Sequence, residues 1–276
     1  MSTHRNNSNR FIVTLLTGMG VMLALTHLLK IGRERPPQGP ARVQRAAPAP
    51  VRNPIAPMLE NRSGLPREAG TAVAVLVDVS GSMRQPVSSG AGQTQPKLEI
   101  AKASVLRLVS QIDRFVHEHP DKPVVLGIYE FSARSHQPAC RLVVPIGPPD
   151  LARTQAGLSQ MRPDGDTPIG DAMIYAKRQL NATNRARQHI LVVTDGENNR
   201  GFDPEEVVDV LSRMPENDRA SVYCIAFDVA ADRFQRVRDA GGLVLAAMNE
   251  GELQQTMDYV LTGKILAEQP EAPKTQ

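Results

Sequence analysis

From Thr71 onward the chain alternates short apolar runs with helical stripes, and this alternation limits the fold more than any other feature. Residues 72–77 (Ala-Val-Ala-Val-Leu-Val) are continuously apolar, as a strand buried on both faces requires. Over Leu98–Val116 the residues Leu98, Ala101, Val105, Leu108, Ile112 and Phe115 fall on one helical stripe. Strand patterns recur at Val124–Phe131, Leu142–Ile146, Ile190–Thr194, Val222–Phe227 and Leu243–Ala246. Helical ones occupy Pro168–Leu180, Pro204–Met214 and Glu250–Leu261. This order predicts an α/β fold: a doubly wound, mostly parallel six-stranded sheet with helices on both faces. The short strand at Leu142–Ile146 is expected to run antiparallel at an edge.

The front of the chain reads differently. Phe11–Leu29 is a run of nineteen residues without charge or proline. As a helix it would span about 28 Å, close to the hydrocarbon thickness of a bilayer. The rival reading is a signal peptide cleaved near Ala24-Leu25-Thr26, but the apolar run continues through Leu28-Leu29. Residues 36–57 are rich in Pro, Ala and Arg and are expected to form an extended spacer. The expected organisation is a tail over 1–10, a membrane anchor over 11–30 and a linker over 31–70. A folded domain over 71–263 and a tail over 264–276 complete it. Residues 36–66 are predicted to be unstructured. The short tail and long spacer favour an extracytoplasmic domain. The Lys/Arg count around the span leaves a cytoplasmic one as the alternative.

The pI of about 9.0 invites a nucleic-acid reading, so the position of the charge matters. Residues 1–70 carry ten Lys/Arg and three Asp/Glu, whereas residues 71–276 carry 22 and 26. The basic excess belongs to the front, and the folded part lacks the cationic face of a DNA or RNA binder. Cys140 and Cys224 lie in apolar strands without Cys-x-x-Cys spacing and read as two buried free thiols.

In an open parallel sheet, ligands bind beyond the carboxyl ends of the strands. The first strand runs out into Asp78-Val-Ser80-Gly-Ser82-Met, where alternate residues turn three oxygens to one side. The fourth ends in Thr194-Asp195-Gly196-Glu197, bringing a second carboxylate to the same edge. Between them Gly165-Asp-Thr167-Pro168 leads into a helix and presents the Thr167 hydroxyl. Asp78, Ser80, Ser82, Thr167 and Asp195 form an all-oxygen donor set suited to Mg²⁺, with Mn²⁺ or Ca²⁺ as substitutes. Taken singly, the same residues would serve as turn and helix caps. Asp166, Asp171, Glu197 and Asn198 read as rim or helix-start groups. Arg84–Lys97 reads as a mobile surface loop beside the metal.

The three segments resemble, in order and spacing, the metal-ion-dependent adhesion site of the von Willebrand factor A (integrin I-domain-like) family, over roughly residues 71–263. The resemblance implies that Ser80, Ser82 and Thr167 coordinate the metal directly and that Asp78 and Asp195 act largely through water. It also implies a protein ligand that offers an Asp, a Glu or a carboxyl terminus as the last ligand. The anchor and spacer more loosely resemble bacterial membrane-anchored members.

Three function classes remain open. The first is a membrane-anchored module that binds a protein through Mg²⁺. The second is an intracellular assembly adaptor for an AAA-type ATPase. The third is a metal-assisted hydrolase, the weakest of the three. The sequence has no Gly-x-Ser-x-Gly elbow, no Walker A loop and no His-Glu-x-x-His, and His117 and His119 cannot share a helical face. A non-enzymatic role is therefore expected.

Overall fold

The computed structural model describes residues 53–89 and 93–268. The anchor expected over 11–30, the spacer up to residue 52 and the end of the chain from 269 lie outside them. Among the described residues no helix is long and apolar enough to cross a membrane.

In chain order the elements are helix α1 (Ala56–Leu59), strand β1 (Glu68–Asp78), a 3₁₀ turn (Gly81–Arg84), strands β2 (Pro86–Ser89) and β3 (Gln93–Pro96), and helix α2 (Lys97–Glu118). Then come β4 (Val124–Phe131), β5 (Cys140–Gly147), α3 (Leu151–Ser159), α4 (Ile169–Ala182), β6 (Arg185–Thr194) and α5 (Pro204–Arg213). Strand β7 (Ser221–Phe227), helix α6 (Gln235–Asp239), strand β8 (Leu243–Ala247) and helix α7 (Glu250–Val260) follow.

Six strands form one sheet in the order β5-β4-β1-β6-β7-β8. All pair in parallel except β5, which runs antiparallel on β4 at the edge, as the sequence predicts. Strand β1 shows why this sheet needs helices on both sides. Val73, Val75 and Val77 point to a core built with Leu98, Ile112, Leu253 and Met257 of α2 and α7. Ala72, Ala74 and Leu76 point to a second core with Ile169, Met173, Leu180 and Val207 of α4 and α5. Successive side chains on a strand face opposite ways, so an unbroken apolar run is buried only by two layers. Cys140 and Cys224 are buried free thiols, in line with their sequence setting.

The structure departs from the sequence reading at several elements. Residues 55–59 are not part of an extended linker: Ile55 and Leu59, one helical turn apart, are 1% and 0% exposed. Asn181 Nδ2 of α4 donates to the Leu59 carbonyl at 2.9 Å, and Glu68 N donates to Asn184 O at 2.9 Å. Two apolar residues at i and i+4 were enough to dock a proline-flanked segment that its composition marked as a spacer. Beneath it Lys177 is fully buried, donating to Gln188 Oε1 at 2.9 Å and to Asn181 Oδ1. Burial, and then the nearby Arg67, pushes its ammonium down to about 7.

The loop expected over Arg84–Lys97 contains an antiparallel hairpin, β2 with β3, in which Val87 faces Gln95. Val87 packs into the α2/α7 core, which fixes the hairpin from one side. Strand β6 begins at Arg185, earlier than the apolar run at Ile190, because Gln188 and His189 are buried polar residues inside it. Helix α3, with Asp150 accepting from Arg153 N at its start, has too few apolar residues to show a stripe.

Candidate metal centre

The chain passes from β1 to β4 on one side and later returns to β6 on the other, so the strand order reverses between β1 and β6. A crevice opens at such a point beyond the strand ends. Asp78 closes β1 and Thr194 closes β6 at that crevice.

Asp78 is 0% exposed. Its Oδ1 accepts from Ser80 N at 2.7 Å and its Oδ2 from Thr194 Oγ1 at 2.6 Å. Burial drives its pKa up to about 7 against those two hydrogen bonds, and the Asp195 charge adds to the rise. Ser80 Oγ lies 3.1 Å from Ser82 Oγ, and Ser82 Oγ donates to Asp195 Oδ1 at 2.7 Å. Thr167 is brought in by its backbone: its N–H donates to Asn199 Oδ1 at 2.7 Å, and Asn199 N donates to its carbonyl at 3.2 Å. A Cβ placed on Gly196 would meet Thr167 Oγ1 at 3.5 Å and Ser82 Oγ at 4.0 Å, so both hydroxyls border the same small space. All five residues singled out from the sequence therefore gather at one edge.

Backbone contacts hold the first two of the three loops together. Gly81 N donates to Gly165 O at 2.9 Å, and Asp164 N donates to Val79 O at 2.7 Å. Gly165 has φ +89°, and a Cβ there would sit 2.4 Å from the Ala133 carbonyl, so this crossing needs glycine. The rim residues keep the roles expected of them. Asn198 Oδ1 accepts from Ile169 N at the start of α4, Asp171 accepts from Phe202 N, and Glu197 pairs with Arg233 in the open.

Sequence reasoning missed Lys97. It is 4% exposed, and its Nζ donates to Asp195 Oδ2 at 3.0 Å and to Asp228 Oδ2 at 2.8 Å. Burial alone would lower its pKa, but the bonds to Asp228 and Asp195 outweigh it and raise the value. Asp228 follows β7 in a left-handed conformation (φ 53°), its N–H donating to Ala247 O at 2.7 Å. One signal was readable: Lys97 opens a helix, where the macrodipole disfavours a cation unless carboxylates face it.

The donor set can be tested against a metal. Among the described residues no three His, Cys, Asp or Glu side chains gather in a way that could hold one. This edge offers instead two carboxylates and three hydroxyls, hard oxygen donors. The 3.1 Å between Ser80 Oγ and Ser82 Oγ is close to the ~3.0 Å separating adjacent ligands of an octahedral ion with ~2.1 Å bonds. The residues present fit a small hard cation.

Residues 73–197 match the family model of the von Willebrand factor type A domain, a stretch from β1 through Asp195 that carries all five residues. This stretch belongs to that family. Solved structures with the VWA fold align over most of the chain at low identity. The PilB minor pilin from Streptococcus sanguinis is 14% identical, with a TM-score of 0.55, over 74% of this chain and 64% of its own. The conserved hypothetical protein BatB from Bacteroides thetaiotaomicron is 19% identical, TM-score 0.53, over 72% of this chain and 100% of its own. The pilus adhesin SpaC from Lactobacillus rhamnosus GG is 14% identical, TM-score 0.54, over 75% of this chain and 31% of its own. The chain thus spans less than two thirds of the pilin and under a third of the adhesin, and the shared feature is the fold. No curated protein matches the sequence.

Proposed function

We propose that this VWA domain binds a protein partner through a Mg²⁺ ion held by Asp78, Ser80, Ser82, Thr167 and Asp195. In this reading an acidic side chain or carboxyl terminus of the partner completes the coordination. The observation that carries it is the convergence of the Ser80 and Ser82 hydroxyls, 3.1 Å apart, with Asp195 Oδ1 2.7 Å from Ser82. When bound, the ion would supply a Lewis-acidic position for an incoming carboxylate. The chain's own residues orient that position. Thr194 fixes the rotamer of Asp78, Ser82 fixes that of Asp195, and Asn199 holds Thr167 by its backbone.

A binding role rather than catalysis is favoured by Lys97, the basic side chain bonded to Asp195, which is committed to two carboxylates and offers no free base. The likeness to a pilus adhesin supports a surface-binding role. The apolar run over Phe11–Leu29 supports a membrane anchor that would hold the domain outside the cytoplasm.

Calorimetric titration of the full-length chain with Mn²⁺ tests the metal reading. Wild type is expected to bind one ion and Asp78→Ala none, with circular dichroism unchanged by EDTA. Equal binding by both proteins, or none by wild type, would reduce the constellation to a set of turns.

A further inference from the structure

We infer that Lys97 is a resident counter-cation of the metal edge: it balances Asp195 and Asp228 when no divalent ion is present and thereby weakens divalent binding. The inference rests on the metal reading above and concerns how the site is tuned.

Lys97 lies inside the domain, 4% exposed, and its side chain is 5% exposed beside an Asp195 side chain that is 0% exposed. Two acceptors hold it, Asp195 Oδ2 at 3.0 Å and Asp228 Oδ2 at 2.8 Å. The two oxygens of Asp195 are therefore divided. Oδ1 accepts from the Ser82 hydroxyl, and Oδ2 is taken by the ammonium. A carboxylate so divided cannot turn its second oxygen toward an ion without breaking an ion pair. The fixed positive charge also repels a divalent ion across one carboxylate width. Without Lys97, Asp195 and Asp228 would lose their shared counter-cation while Asp195 still opposes the charge of Asp78, and the metal would become necessary to the edge.

The position of Lys97 is set by four elements. It begins α2, its N–H donates to Gln85 O at 2.9 Å at the base of the hairpin, and its side chain spans from the end of β6 to the end of β7. A cation at the first position of a helix meets the positive end of the dipole, and the two carboxylates offset that cost. The arrangement makes one prediction about ion dependence. The wild-type fold should be nearly indifferent to EDTA, and a variant without the charge should not be.

The test uses the full-length chain as wild type, Lys97→Met, Lys97→Arg and Lys122→Met, the last a loss of charge away from the site. Mn²⁺ titration and thermal melts with EDTA or Mg²⁺ are the readouts. Lys97→Met is expected to bind Mn²⁺ about tenfold or more tightly, as loss of a cation within a few ångströms predicts. It should also melt well below wild type in EDTA and recover in Mg²⁺. Lys97→Arg and Lys122→Met are expected to behave as wild type in both assays. If Lys97→Met proves unfolded even in Mg²⁺, the double variant Lys97→Met/Asp228→Asn, which also removes one of the stranded carboxylates, takes its place. Unchanged affinity and an unchanged EDTA melt would overturn the role of Lys97 while leaving the metal site standing. Absence of Mn²⁺ binding in wild type and variants alike would remove the metal reading and this tuning with it.

Discussion

Thr194 Oγ1 donates to Asp78 Oδ2 at 2.6 Å, joining the last residue of β6 to the last residue of β1 inside the sheet edge. The bond is buried on both sides, Thr194 and Asp78 each being 0% exposed.

Thr194→Val keeps the shape of the side chain and deletes this donor. A buried carboxylate oxygen left without a partner costs about 1–3 kcal/mol. The urea midpoint of the metal-free protein is expected to fall accordingly, and Mn²⁺ binding to weaken. An unchanged midpoint would mean that the bond contributes nothing to the edge.

His189 sets an acid limit. It is 1% exposed, with Nδ1 3.2 Å from Tyr223 Oη and Nε2 without a hydrogen-bond partner. Burial, with the Arg187 charge adding, pushes its pKa down to about 4 from an ordinary 6.5. The unfolded chain therefore binds a proton below pH 6.5 that the folded one refuses until about pH 4. The stability due to neutral burial is present above 6.5 and is lost as pH falls through that window, on the order of 3 kcal/mol in all. His189→Phe, measured by urea unfolding at pH 7 and pH 4.5, is expected to lose less stability on acidification than wild type. Parallel slopes would contradict this.

Leu59 anchors the segment before β1. It is 0% exposed in the α4/α5 core, so Leu59→Ala is expected to cost about 2–4 kcal/mol. The same substitution in a solvated linker would cost nothing, and denaturant titration separates the two.

Gly170 in the first turn of α4 lies against the backbone of residue 202: a Cβ there would sit 2.0 Å from the Phe202 carbonyl. Gly170→Ala must push that loop away and is expected to cost about 1–3 kcal/mol. Because Asn198 and Asn199, a few residues before Phe202, hold Ile169 and Thr167, Mn²⁺ affinity should fall too. Gly263→Ala, with no neighbour nearer than 3.4 Å, serves as the control.

The sequence disclosed what periodicity encodes. The Ala72–Val77 run announced a central strand because a strand covered on both faces must be apolar throughout. Asp78, Ser80, Ser82, Thr167 and Asp195 were readable because each follows a recognisable strand end or precedes a helix. Elements without that periodicity stayed hidden. Strand β6 starts on polar residues, and the burial of Gln188 and His189 depends on partners outside the strand, Lys177 for Gln188 and Tyr223 for His189. Lys97 was hidden for the same reason. Its ion pairs reach Asp195 and Asp228, and its place at a helix start signals only that carboxylates face it, not which ones.

The segment carrying Ile55 and Leu59 is bolted beside the amino ends of β1 and β6, whereas Asp78 and Asp195 stand at their carboxyl ends. Ten residues of β6 put about 33 Å between the two levels. A pull applied between the segment at Ile55 and the carboxyl end of β6 would thus run lengthwise through neighbouring strands. The ladder from Thr71–Arg187 to Val77–Val193 would carry it in shear, all rungs loaded together, rather than being unzipped one at a time.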